Sequence, residues 1–97
     1  MPTYISLLNW TQQGEKNIRE TGKREAAFAK SAQKLGAKVI AAYWTMGRHD
    51  GVLLFEAPDD ETATATALAL GALGNVATET MRAFTADDMA KIVAKLP

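Results

Sequence analysis

Cysteine is absent from the 97 residues, histidine occurs once and proline three times. Without thiols there is no disulfide framework and no thiolate chemistry, a composition that suits a reducing cytoplasm, where we expect the protein to reside. A single histidine rules out a multi-histidine zinc site within one chain, and no metal centre is expected. Charge of one sign is also missing. Eleven Lys and Arg balance eleven Asp and Glu, whereas nucleic acids and anionic membranes select a basic excess. Neither is expected as a partner. No long hydrophobic run is present either: Ala63 to Leu73, the most apolar helix candidate, is too short for a bilayer. The amino-terminal MPTYISLLNW lacks the basic region and apolar stretch of a signal peptide.

What remains is 47% hydrophobic and 23% charged, the make-up of a folded globular domain. Residues 1–97 read as a single domain. Thr3 to Trp10 is rich in β-formers and reads as a strand. Thr11 caps a short helical turn reaching about Ile18, loosened by Gly14, and a longer helix is expected from Lys23 to Leu35, with Phe28, Ala32 and Leu35 on its apolar face. Lys38 to Met46 and Gly51 to Ala57 form two further strands, joined through Gly47-Arg48-His49-Asp50. Pro58-Asp59-Asp60-Glu61 starts a helix that Gly71 and Gly74 end, with Asp59 as N-cap. Val76 to Phe84 is the fourth strand. Thr85-Ala86-Asp87-Asp88 resembles a capping box, and Met89, Ile92, Val93 and Leu96 follow at amphipathic-helix spacing.

The order β-α-β-β-α-β plus a C-terminal helix is the α+β, ferredoxin-like pattern: a four-stranded antiparallel sheet with both long helices on one face. Two helices leave the other face bare. On an antiparallel sheet a bare face should be polar, yet both parities are apolar here. Ile5 and Leu7 oppose Tyr4, Leu8 and Trp10 on strand one; Val52 and Leu54 oppose Leu53 and Phe55 on strand three. Strict alternation on strand two sets Val39, Ala41 and Tyr43 against Ile40, Ala42, Trp44 and Met46. We therefore expect a second copy to cover the open face, giving a homodimer or higher homo-oligomer, with either face a candidate.

Several segments resemble the GYD domain family. They are Tyr4-Ile5-Ser6-Leu7-Leu8, Lys34-Leu35-Gly36, Tyr43 through Asp50, Glu56 through Asp60, Leu68 through Val76, and Arg82-Ala83-Phe84-Thr85. The resemblance spans the whole chain in order, and implies a dimeric α+β barrel. It also implies a departure at the Gly-x-Tyr-Asp signature, since His49 stands where the family has Tyr.

Candidate chemistry is sparse. His49 beside Asp50 has the make-up of a general base; the same residues equally suit a turn, with Asp50 bonding backbone amides. Arg82 shares a strand-four face with Val76, Thr78, Thr80 and Phe84, while Glu79 takes the opposite one, and Glu56 adds a charge on strand three. A charge directed into a closed barrel needs a partner or a ligand. Tyr4, Trp10, Trp44, Glu56 and Arg82 are thus the candidate lining of a small-molecule site, and the alternative is that the charges form rim ion pairs. Gly-x-Gly-x-x-Gly, P-loop and Gly-x-Ser-x-Gly motifs are missing, so no cofactor is expected. These features favour an oligomeric domain that binds a small organic ligand or serves an assembly role. The alternative is a cofactor-independent monooxygenase or isomerase acting on a small aromatic compound, with His49, Asp50 or Arg82 as catalytic candidates.

Overall fold

A computed structural model describes residues 1–97. Strand β1 (Thr3–Trp10) is flanked on both sides by antiparallel partners, β3 (Gly51–Glu56) and β4 (Val76–Ala83), while β2 (Lys38–Trp44) pairs with the outer side of β3. The spatial order β2-β3-β1-β4 is that of the expected ferredoxin-like sheet. Between β1 and β2 lie a short helix α1 (Gln12–Lys16), a 3-10 turn (Ile18–Glu20) and the long helix α2 (Thr21–Leu35); α3 (Asp60–Ala72) joins β3 to β4, and α4 (Ala86–Val93) follows β4.

Local chemistry sets the element ends. The Asp59 side chain accepts from the Thr62 amide (2.7 Å) and caps α3. Thr85 and Asp88 form a reciprocal capping box on α4. Hydrogen bonding by the Thr62 side chain and then its amide holds the Asp59 carboxyl below its ordinary range, and the Thr85 amide followed by its side chain does the same for Asp88. Gly36 ends α2 in the left-handed region (φ 95°), a conformation that favours glycine. Helix α2 starts two residues earlier than expected, at Thr21, and β2 stops at Trp44 because the chain turns at Thr45, whose amide donates to the Asp50 carbonyl. Leu35 is 43% exposed and does not share the buried face of Phe28 and Ala32.

The register settles which side chains share a face. Tyr4, Ser6, Leu8 and Trp10 of β1 lie with Leu53 and Phe55 of β3 and with Val76, Thr78, Thr80 and Arg82 of β4 on the side that α2 and α3 cover. Strand β2 breaks the simple alternation. Its register shifts between Val39 and Ala41, leaving Ile40 as the extra residue of a bulge. Val39, Ala42 and Trp44 consequently face the helices, so the strict alternation expected for β2 is corrected beyond Val39.

The core between sheet and helices is slight. Tyr4, Phe28, Ala32, Ala37, Leu53, Phe55, Ala57 and Ala63 make up its buried cluster, and only 13 of 97 residues are buried anywhere. The molecule is a slab 52 × 31 × 17 Å, a thickness of two layers. On the bare face Ile5, Leu7, Val52 and Leu54 are half-buried, and Tyr43 and Met81 are exposed. Helix α4 has no buried residue, and its Met89, Ile92 and Val93 stand in solvent.

Gly14 shows how tightly the chain is stapled at one end. The Thr11 hydroxyl donates to the Gly74 carbonyl (2.5 Å), and the Thr11 amide to that of Asn75 (3.1 Å). This draws α1 onto the turn between α3 and β4, where a Cβ on residue 14 would overlap the Asn75 carbonyl oxygen. Glycine here is required by contact with backbone, which cannot swing away. Gly14→Ala is expected to destabilise the fold by about 1–3 kcal/mol, read from urea unfolding at fixed protein concentration.

Candidate functional site

Three polar constellations arise from this framework, and they lie apart. The first is at the β2–β3 connection. Asn9, near the end of β1, donates from Nδ2 to the Arg48 carbonyl (2.8 Å), and its Oδ1 lies 3.0 Å from His49 Nδ1. Asp50 Oδ2 accepts from the Trp10 amide (2.8 Å), and the Thr45 hydroxyl donates to the His49 carbonyl (2.6 Å). Both side chains of the His49–Asp50 pair are engaged with β1, and no hydrogen bond joins them to each other. Asp50 bonds backbone, as the turn alternative has it, although the amide belongs to the neighbouring strand.

The second lies under α2. Trp10 and Trp44 line a gap of about 80 Å³ with Leu8, Phe28, Leu70 and Asp50. The Trp44 indole donates from Nε1 to the Thr21 hydroxyl (3.0 Å), tying the end of β2 to the start of α2. Sites for drug-sized molecules run to roughly 300–1,000 Å³, so the enclosed space here is small.

The third sits beneath α3. Tyr4 donates its phenol proton to Asp60 Oδ1 (2.6 Å) and stacks on Phe55 with ring centroids 5.4 Å apart. The Arg82 guanidinium lies 5.6 Å from the Tyr4 ring centre and 4.6 Å from that of Phe84. It donates to the carbonyl of Thr3 (3.1 Å) and to its neighbour Ala83. Buried Ser6 and half-buried Thr80 share a hydroxyl hydrogen bond of 2.6 Å. A groove of about 420 Å³ runs over these residues between α3 and β4. Burial, followed by the Asp60 hydrogen bond, pushes the Tyr4 phenol above its ordinary value, with Arg82 opposing.

The five residues expected to line one site are therefore distributed. Trp10 and Trp44 share the gap under α2, Tyr4 and Arg82 share the groove under α3, and Glu56 lies on the bare face opposite Lys38 and Thr3. Asn9, which binds His49, and Tyr4, which meets Arg82, are five residues apart on β1, about 17 Å along the strand. Asn9 and Asp60 escaped the sequence reading. Asp60 reads there as an ordinary helix-start acid, and only the seating of α3 over β1 makes it the acceptor for Tyr4. No group of three or more His, Cys, Asp or Glu side chains is placed to hold a metal ion, and no helix is long and apolar enough to cross a membrane.

The fold and these surfaces define a small α+β ferredoxin-like domain with one uncovered apolar sheet face. The GYD domain model matches residues 4–93, and the chain belongs to the GYD domain family. It is 30% identical over 90 residues to a Thermus thermophilus protein named glutamine synthetase and cystathionine beta-lyase binding protein, covering 92% of this chain and 95% of that one. The crystal structure of a Thermus thermophilus protein superposes with a TM-score of 0.58 at 26% identity, over 89% of this chain and 96% of the other. The solved chain named MtbAldR shares the fold, with a TM-score of 0.62 at 18% identity, over 87% of this chain and 52% of its own.

Two outcomes follow from the geometry. Asp50→Ala leaves the Trp10 amide without its acceptor and is expected to cost about 1–3 kcal/mol, with Asp50→Asn recovering most of it; thermal unfolding of the two variants checks this. The raised Tyr4 value fixes the sign of a pH effect. Below the ordinary value of 10.0 both folded and unfolded chains keep the proton, and the stabilisation is complete. As pH rises past that value the unfolded chain ionises first, so stability falls until the folded phenol also titrates. Tyr4→Phe should lose about 1–2 kcal/mol at neutral pH and flatten the Tyr4 part of the alkaline decline, measured by denaturant titration at several pH values.

Proposed function

We propose that the chain is a homo-oligomeric binding protein that acts by docking on metabolic enzymes in the cytoplasm, with its bare sheet face joined to that of a second copy. The observation that carries the assembly role is the face itself: Ile5, Leu7, Val52, Leu54 and Met81 form an apolar surface on a protein whose own core is slight. The enzyme partners are supported by the name of the Thermus thermophilus relative, which this chain matches over nearly its full length. Glutamine synthetase and cystathionine β-lyase are accordingly the first partners to test.

The small-ligand reading is supported by the gap of about 80 Å³ between Trp10 and Trp44 and by the open groove of about 420 Å³ that Tyr4 and Arg82 line, but the five candidate residues do not converge on either. The monooxygenase or isomerase alternative calls for Trp44, His49, Asp50 or Arg82 to line a cavity: Trp44 and Asp50 line the gap under α2 and Arg82 the groove under α3, in separate places. The length of β1 that separates His49 from Arg82 makes assembly the better supported reading.

Immobilised chain is expected to bind purified glutamine synthetase or cystathionine β-lyase of its own source organism in biolayer interferometry; binding of neither would remove the enzyme-docking reading. For self-association, Leu54→Lys places a charge on the joined faces and should weaken the dimer by about 2 kcal/mol or more. Trp44→Ala, on the helix-covered face, should leave association unchanged. Sedimentation equilibrium distinguishes the two: a Leu54→Lys protein that associates like wild type would contradict the face-to-face dimer.

A further inference from the structure

The edge strands differ in how they meet solvent. β2 carries the bulge at Ile40 and begins with Lys38, features that discourage pairing with another chain. β4 has neither: its eight residues pair with β1 without interruption and contain no Gly, Pro or Lys. Which of its backbone groups remain free follows from the ladder. The Thr11 amide donates to the Asn75 carbonyl (3.1 Å), one step beyond the Trp10–Val76 pair in the same register. Hydrogen-bonded and non-hydrogen-bonded pairs alternate in an antiparallel ladder. Ala77, Glu79, Met81 and Ala83 therefore bond β1, and Val76, Thr78, Thr80 and Arg82 turn their amides and carbonyls outward.

Thr78, Thr80 and Arg82 also line the 420 Å³ groove beneath α3, with Met81 of the same strand at its margin. Unpaired ladder groups and a cleft for alternate side chains thus run along the same stretch. The walls toward the helix are Ala63, Thr64, Ala67 and Leu68, with Leu68 68% exposed, and the Asp60 carboxylate beside them is held by the Tyr4 phenol. At one end stands Arg82, a cation outside any ion pair: the single ion pair of the structure, Lys23–Glu20, lies where the 3-10 turn enters α2.

We propose that the groove between β4 and α3 is the docking site for an extended segment of a partner enzyme, which adds as a fifth strand to the β4 edge. The segment pairs its backbone with Thr78, Thr80 and Arg82, seats an apolar side chain against Ala67 and Leu68, and brings a carboxylate to Arg82. This inference rests on the enzyme-docking reading and assigns it a surface.

Proline at residue 78 is the decisive probe. The Thr78 amide faces outward, so Thr78→Pro removes a docking donor without removing a bond to β1, a setting in which edge strands accept proline. Ala67→Phe fills the groove and leaves the strand intact, and serves if the proline variant melts more than a few degrees below wild type. Each protein is measured against glutamine synthetase, against cystathionine β-lyase and against a displayed library of random eight-residue peptides. Wild type is expected to bind an enzyme and to select peptides that shift the amide resonances of Thr78, Thr80 and Arg82. Both variants should bind at least tenfold more weakly. Enzyme binding undiminished in folded Thr78→Pro and Ala67→Phe overturns the edge site while sparing the enzyme reading. Selected peptides lost in both variants, with neither enzyme bound, support the edge and overturn the enzyme reading. Failure of both enzymes and the library overturns both, as would self-association of β4 edges that the two variants abolish in place of peptide capture.

Discussion

One constraint governs this molecule: two helices cover one face of a four-stranded sheet, and nothing in the same chain covers the other. The slab is 17 Å thick, so every buried side chain lies in a single seam. That seam is thin in apolar volume, with four alanines among its eight buried residues. Phe28, Leu53 and Phe55 fill its centre, and Tyr4 stacks on Phe55. A small domain has little surface to bury, and this one leaves much of its aliphatic surface on the uncovered side. Association is the direct physical remedy.

Polar groups inside the seam are each given a partner, and no buried side-chain nitrogen or oxygen lacks one. Tyr4 meets Asp60, Ser6 meets Thr80, and Thr66 donates to the Thr62 carbonyl. The first ties α3 to β1, the second joins β1 to β4 and the third lies within α3; without partners these groups would oppose burial of the seam. At the opposite end, Asn9 and Asp50 clamp the β2–β3 connection onto β1. The chemistry-bearing residues are consequently tied into scaffolding at separate places. Such an arrangement is better suited to presenting surfaces to a partner than to converging on one reacting atom.

Much of the fold was legible in the residues. Alternation in β1 and β3, the caps at Asp59 and Thr85, and Gly36 after Leu35 act locally, and local signals survive in a single sequence. What stayed hidden depended on neighbours. Ile40 looks like any strand residue; its place as a bulge is set by pairing with β3 and reverses the faces of Ala42 and Trp44. Gly14 reads as a weak point in a helical turn, whereas contact with the Asn75 backbone makes it necessary. The candidate site was less legible than the fold. Tyr4 and Arg82 do meet, as do Trp10 and Trp44, but parity cannot tell that Glu56 lies on the far side of the sheet, because both parities are apolar. The edge position of β4 goes with the ferredoxin-like strand order, but which of its backbone groups stay free depends on its pairing register with β1.

The central claim is that a second copy lies against Ile5, Leu7, Val52 and Leu54. Mixing isotope-labelled with unlabelled chain and recording isotope-filtered proton contacts reads that interface directly. Intermolecular contacts to the methyl groups of these four residues, in a particle of twice the 10.4 kDa chain mass, are the expected result. A particle of single-chain mass, or intermolecular contacts confined to the helix-covered side of the sheet, would contradict it.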